Sequence, residues 1–172
     1  MIVLIGFMGA GKTTVGRLLA AELGLPFADL DLLVEGGRSR SVKDIFAEHG
    51  EAAFREIEHQ TLAGALAGPD RVLALGGGAV EHPGSRRLLM SAQVVYLHVD
   101  YAEALARVGG DAGRPMLTRP DLADVYRRRL AGYQEVATVT VRTGGRPARQ
   151  VSRDVLSGLA GLPPQARAGY SH

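Results

Sequence analysis

The chain contains no cysteine, which excludes disulfides and cysteine-ligated metal sites. It also lacks a dominant charge: 20 Lys and Arg oppose 18 Asp and Glu, for a formal charge of +2. That balance gives no field strong enough to suggest nucleic acid or a membrane surface as a partner. Lysine is scarce, with Lys12 and Lys43 the only two among the 20 basic residues. Much of the arginine excess fits a general compositional bias, but Lys12 falls where a compact ammonium is useful. No apolar run is long enough to cross a bilayer. The N-terminal stretch Met1–Gly6 is apolar but short, lacks a basic flank and is broken at Gly6. It is expected to form a first β-strand rather than a signal, and a cytoplasmic location is the expectation.

At 172 residues, 46% hydrophobic and 22% charged, the chain has the composition of a globular protein and enough length for a sizeable core. No repeat is visible. Short apolar runs alternate with longer amphipathic stretches, the pattern of βαβ units around a parallel sheet. Strands are expected at 2–5, just before Asp29, at 72–75, 94–98 and 138–141. Helices are expected at 12–23, 41–49, 52–66, 83–90, 101–108, 122–136 and 149–159. Ser41-x-x-Asp44 and Asp100-x-x-Glu103 resemble capping boxes. The fold class is therefore α/β, a three-layer arrangement with a five-stranded parallel sheet and helices on both faces. One domain is expected over residues 1–162. The glycine-, proline- and arginine-rich segment near 109–122 is expected to be a mobile lid, and residues 163–172 a disordered tail.

Gly6-Phe7-Met8-Gly9-Ala10-Gly11-Lys12-Thr13 satisfies the P-loop pattern, with an apolar strand before it and an amphipathic helix after it. Glycines let consecutive backbone N–H groups turn inward towards phosphate oxygens, and the following helix adds the positive end of its dipole. The pattern assigns ATP binding to Gly9, Ala10, Gly11, Lys12, Thr13 and Thr14. Lys12 would reach the β- and γ-phosphates, and the Thr13 hydroxyl would ligate Mg2+. An Asn-Lys-x-Asp motif, which GTPases use to read the base, does not occur. Val94–Val99 followed by Asp100 superficially matches a second Mg2+ element, but Asp100 is better explained as a helix N-cap.

Asp29-Leu30-Asp31 supplies a second acidic candidate. Alternation along an extended segment would put both carboxylates on one side, with Leu30 facing away. One could hold Mg2+ through water while the other accepts a hydrogen bond or proton from an acceptor hydroxyl. The same residues could instead cap a helix. Arg55 and Glu58 are three apart on a helical pattern and can pair, as surface ion pairs commonly do. Gly76-Gly77-Gly78 follows an apolar strand and would bare backbone at the carboxyl edge of a sheet, where ligands of open α/β folds bind. A flexible turn is the alternative.

Together the P-loop, Asp29-Leu30-Asp31, Phe54-Arg55-x-x-Glu58, Gly76-Gly77-Gly78 and Arg114-Pro115 resemble the shikimate kinases of the P-loop kinase superfamily. The likeness runs from Met1 to about Leu162. It implies transfer of the γ-phosphoryl group of ATP to a hydroxyl of shikimate, giving shikimate 3-phosphate and ADP in aromatic amino-acid biosynthesis. Mg2+ would be the cofactor and the monomer the working unit. By this resemblance Lys12, Asp31 and Arg114 are catalytic. Asp31 would orient or deprotonate the shikimate hydroxyl, and Asp29 would stand near Mg2+ through water. Arg55 and Arg129 would grip the substrate carboxylate, with Gly76, Gly77 and Gly78 contacting substrate. Arg114 would lean over the phosphates and Arg146 would lie near the adenine. Tyr133 and Ala137 would continue the face of Arg129, while the neighbouring Arg127 and Arg128 leave open a plain basic helix surface. The stretch from Arg114 to Arg129 is about four residues shorter than expected of the family, roughly one helical turn. The nearest alternatives are a kinase for another small hydroxylated metabolite, such as gluconate or a nucleoside monophosphate, and a non-catalytic nucleotide-binding regulator.

Overall fold

A computed structural model describes residues 1–109 and 119–162. Arg114, most of the expected lid and the 163–172 tail lie outside the described residues. Five strands form one sheet in the order β2-β3-β1-β4-β5, with every neighbouring pair parallel. The strands are β1 (Ile2–Ile5), β2 (Phe27–Asp29), β3 (Val72–Ala74), β4 (Gln93–His98) and β5 (Val139–Arg142). β1 lies at the centre, with Val3 opposite Leu73 on one side and Val94 on the other.

All four residues of β1 are buried. Because successive side chains point to opposite faces, that burial requires cover on both faces of the sheet. The helices α1 (Lys12–Leu23), α2 (Leu30–Arg38), α3 (Val42–Ala67), α4 (Pro83–Leu89), α5 (Tyr101–Val108), α6 (Leu122–Val136) and α7 (Ala148–Ala160) supply it. α1 packs against α7, while α6 packs against β4, α4 and the 3-10 turn Ala79–Glu81. One large apolar cluster joins the sheet to these helices. A second, small cluster of Val34, Ile45 and Phe54 lies between α2 and α3.

α3 takes the place of two expected helices. It is interrupted at Gly50 (φ 77°, ψ 175°), between the stretches read as 41–49 and 52–66. Ser41 caps it, with Oγ accepting from the Asp44 N–H at 3.1 Å. The expected capping box at Asp100 is not formed. Asp100 stands at the N-cap of α5 without a side-chain cap bond. The Glu103 carboxylate instead accepts from the Gly145 N–H (2.8 Å) and from Arg107 (2.7 Å), so a partner distant in sequence takes the group that the local pattern reserved for the cap. Among the described residues no helix is long and apolar enough to cross a membrane.

Candidate active site

Parallel strands bring their carboxyl ends to one edge, so the segments after β1, β2, β3 and β4 gather there. After β1 the chain curls through Gly6, Gly9 and Gly11, with φ of 144°, 74° and 86°. These are conformations that side chains other than glycine rarely adopt. At Gly9 a Cβ would also lie 2.7 Å from the Ala104 carbonyl oxygen. Lys12 folds across the loop, donating from Nζ to the carbonyls of Gly6 (2.8 Å) and Phe7 (3.1 Å). Thr13 and Thr14 are exposed on the first turn of α1.

The extended reading of Asp29-Leu30-Asp31 is corrected by the structure. β2 ends at Asp29, and α2 begins at Leu30 with Asp29 as its N-cap, its Oδ1 accepting from the Asp31 N–H at 3.1 Å. Leu30 and Val34 are both buried one helical turn apart, and that apolar spacing draws the segment into a helix. Asp31 therefore reaches the strand edge from the first turn of a helix. Burial, and after it the Asp29 carboxylate, raises the Asp31 carboxyl above its ordinary range. Lys12 and Arg55 pull it the other way, so both cations act on this one carboxylate.

The three glycines after β3 make room for side chains. A Cβ at Gly76 would stand 2.8 Å from Asp31 Oδ1 and 2.8 Å from Glu58 Oε1, and one at Gly78 would overlap the Arg55 guanidinium. Gly77 is opposite Arg129 and Tyr133, and its carbonyl accepts from the Tyr133 hydroxyl at 2.5 Å. Arg55 is fixed from several directions. Nη1 donates to Glu58 Oε2 (2.7 Å), and Nη2 donates to Glu51 (3.2 Å) and Glu81 (3.3 Å). Its guanidinium also lies over the rings of Phe54 (5.2 Å) and Phe46 (5.8 Å), a cation–π arrangement. Glu58 is only 1% exposed, and burial pushes its carboxyl up to about 7 against the attraction of Arg55. On α6 Arg129 is 4% exposed, whereas Arg127 and Arg128 face solvent. The basic-surface alternative thus does not describe Arg129.

The profile of the family described as shikimate kinase matches residues 8–160. The chain belongs to the shikimate kinase family. A protein named shikimate kinase from Mycobacterium tuberculosis (strain ATCC 25177 / H37Ra) is 45% identical over 170 residues, covering 96% of this chain and 97% of that protein. The structure of shikimate kinase from Acinetobacter baumannii in complex with shikimate has a TM-score of 0.86 at 37% identity, over 91% of this chain and 90% of that one. Shikimate kinase from Aquifex aeolicus has a TM-score of 0.82 at 32% identity, over 93% and 96% of the two chains.

In this shikimate kinase fold Arg146 follows β5, where Nη1 donates to the Arg142 carbonyl (3.1 Å) and Nη2 pairs with Asp154. Two site-edge residues escaped the sequence reading. Arg107 donates to the carbonyls of Gly9 (3.0 Å) and Thr143 (2.6 Å), tying the P-loop to the loop that carries Arg146. Its position four residues after Glu103 was legible as an ion pair, but nothing local indicated the P-loop contact. Glu81, at the end of the 3-10 turn, accepts from both Arg55 and Arg129 (2.7 Å for Arg129). No local motif marks it.

Proposed function

We propose that this shikimate kinase family member transfers the γ-phosphoryl group of ATP to a hydroxyl of shikimate, giving shikimate 3-phosphate and ADP in aromatic amino-acid biosynthesis. One observation carries the proposal: the half-buried Asp31 carboxylate and the Glu58 carboxylate that holds Arg55 both close on Gly76, and Lys12 and Arg55 both act on Asp31. A hydroxyl bonded to Asp31 would lie between the phosphate cradle and a group suited to a carboxylate.

In this reading Gly9, Ala10, Gly11, Thr13 and Thr14 line the phosphates, and Lys12 leaves its own loop carbonyls to offset charge on the transferring group. Asp31 accepts the hydroxyl hydrogen bond and then the proton as the oxygen attacks phosphorus. Its raised affinity for protons suits that role. Arg55 and Arg129 hold the substrate carboxylate in forked hydrogen bonds that a lysine cannot reproduce. The bare backbone at Gly76, Gly77 and Gly78 lets the substrate ring approach. Arg114 over the phosphates and Arg146 near the adenine complete the proposed set.

Among the described residues no group of three His, Cys, Asp or Glu could hold a metal alone. The hard oxygen donors available, an exposed Thr13 hydroxyl and the Asp29 carboxylate, fit Mg2+, which keeps several waters and leans on nucleotide phosphates. When bound it would neutralise phosphate charge. The proposed working unit is the monomer.

The test is ADP release by the purified protein with ATP, Mg2+ and, separately, shikimate, gluconate and nucleoside monophosphates. Saturable release with shikimate alone is expected, and it should vanish on chelation of the metal. Turnover with gluconate or a nucleotide but not shikimate would replace this reading, as would ATP binding without turnover.

A further inference from the structure

The site contains a carboxylate of its own where the proposed substrate carboxylate should go. Glu81 projects from the 3-10 turn that follows the triple glycine and places one oxygen, Oε2, on two guanidiniums. Arg129 Nη2 donates to it at 2.7 Å and Arg55 Nη2 at 3.3 Å. The two arginines come from different helices, α6 and α3. Each guanidinium nevertheless keeps one donor unserved: the Nε–H groups of both Arg55 and Arg129 are buried without a hydrogen-bond partner. A carboxylate best satisfies an arginine by taking two adjacent N–H groups at once. An incoming carboxylate on the Nε–Nη2 edge of Arg55 meets an Nη2 whose two N–H groups already serve Glu51 and Glu81, and on Arg129 it must share Nη2 with Glu81.

We propose that Glu81 is an internal competitor for the substrate carboxylate, occupying the Arg55–Arg129 clamp until shikimate displaces it. The inference rests on the function proposed above and adds a specificity-determining residue to it. Glu81 is equipped to leave. Its side chain is 29% exposed, against 5% for Arg129. It also borders a cavity of about 360 Å3 that Arg119 and Arg128 line as well. Arg119 is already paired with Asp121 and Arg128 stands near the same carboxylate, so a displaced Glu81 would meet a cationic wall that it shares with Asp121. Occupation of the clamp lowers apparent affinity by the fraction of molecules in which it is blocked. It also sets a threshold: a ligand whose anion is weaker or absent gains nothing from the clamp, while a full carboxylate can exchange for Glu81 on equal terms.

The experiment compares the unaltered protein with Glu81→Gln and Glu81→Ala, measuring calorimetric affinity and KM for shikimate and for its uncharged carboxamide. Both variants should bind shikimate about three- to tenfold more tightly, with a matching fall in KM. The carboxamide should show no comparable gain. Unchanged or weaker shikimate binding in correctly folded variants overturns the inference and makes Glu81 a support for the arginines. An equal gain for the carboxamide also overturns it. Should both variants misfold, a crystal structure of the unaltered protein with shikimate decides: Glu81 withdrawn from both guanidiniums supports displacement, and Glu81 retained on both refutes it. An unaltered protein that phosphorylates shikimate while these results fail leaves the proposed function standing. Absence of shikimate turnover removes both.

Discussion

At the scale of single residues, the site is a set of charges whose values depend on burial. Asp31 carries a raised affinity for protons because burial outweighs its two cationic neighbours. Asp31→Asn keeps the size and removes the base, so turnover should fall by about a hundredfold or more. Single-turnover kinetics at saturating ATP and shikimate check this. Near-normal turnover would take Asp31 out of the chemistry. Arg55 faces three carboxylates through Nη1 and Nη2 and two phenyl rings through its planar face, while its Nε–H stays unpartnered. Arg55→Lys should therefore raise the KM for shikimate well above any change in the KM for ATP, and parallel losses in both would refute the clamp. The P-loop residues and Arg55 could be read from sequence because their signals are local: a fixed spacing, or a three-residue step on one helix face. Glu81 could not, since its significance comes from Arg55 and Arg129, 26 and 48 residues away.

At the scale of elements, α1, α5 and α6 have the bounds expected from their amphipathic pattern. α2 went unread because three residues, Asp29 to Asp31, fit alternation and a capped helix equally well, and only the burial of Val34 a turn later separates the two. The break in α3 was legible as two helices because His49 and Gly50 interrupt the pattern. Gly50 has open space around a would-be Cβ, so a substitution there meets strain from the backbone alone. Gly50→Ala should cost about 1–3 kcal/mol. Equilibrium denaturation would report it, and an unchanged midpoint would mean that the chain can bypass the break by another conformation.

At the scale of the whole molecule, the order β2-β3-β1-β4-β5 was not written in any segment, yet it decides which strand ends become neighbours. It places the triple glycine of β3 beside both the P-loop of β1 and the aspartates of β2. Global stability should register the site as well. Glu58 titrates near 4.5 when unfolded and is pushed up to about 7 in the fold. Between those values the native state holds more protons than the unfolded chain. The contribution is thus complete below pH 4.5 and is lost as pH rises towards 7. Denaturation series across that window should show stability declining with pH, and Glu58→Gln should flatten the decline. An equal slope in the variant would assign the dependence to other groups.

The small cluster of Val34, Ile45 and Phe54 stands apart from the main core, and Arg55 follows directly on Phe54, while Arg129 is anchored in α6 against the principal sheet. A ligand anion held by both arginines would act as a rivet between the two packing compartments, which α2 and α3 otherwise join. Ile45→Ala, at a side chain 2% exposed, should lower the melting temperature and weaken shikimate binding together.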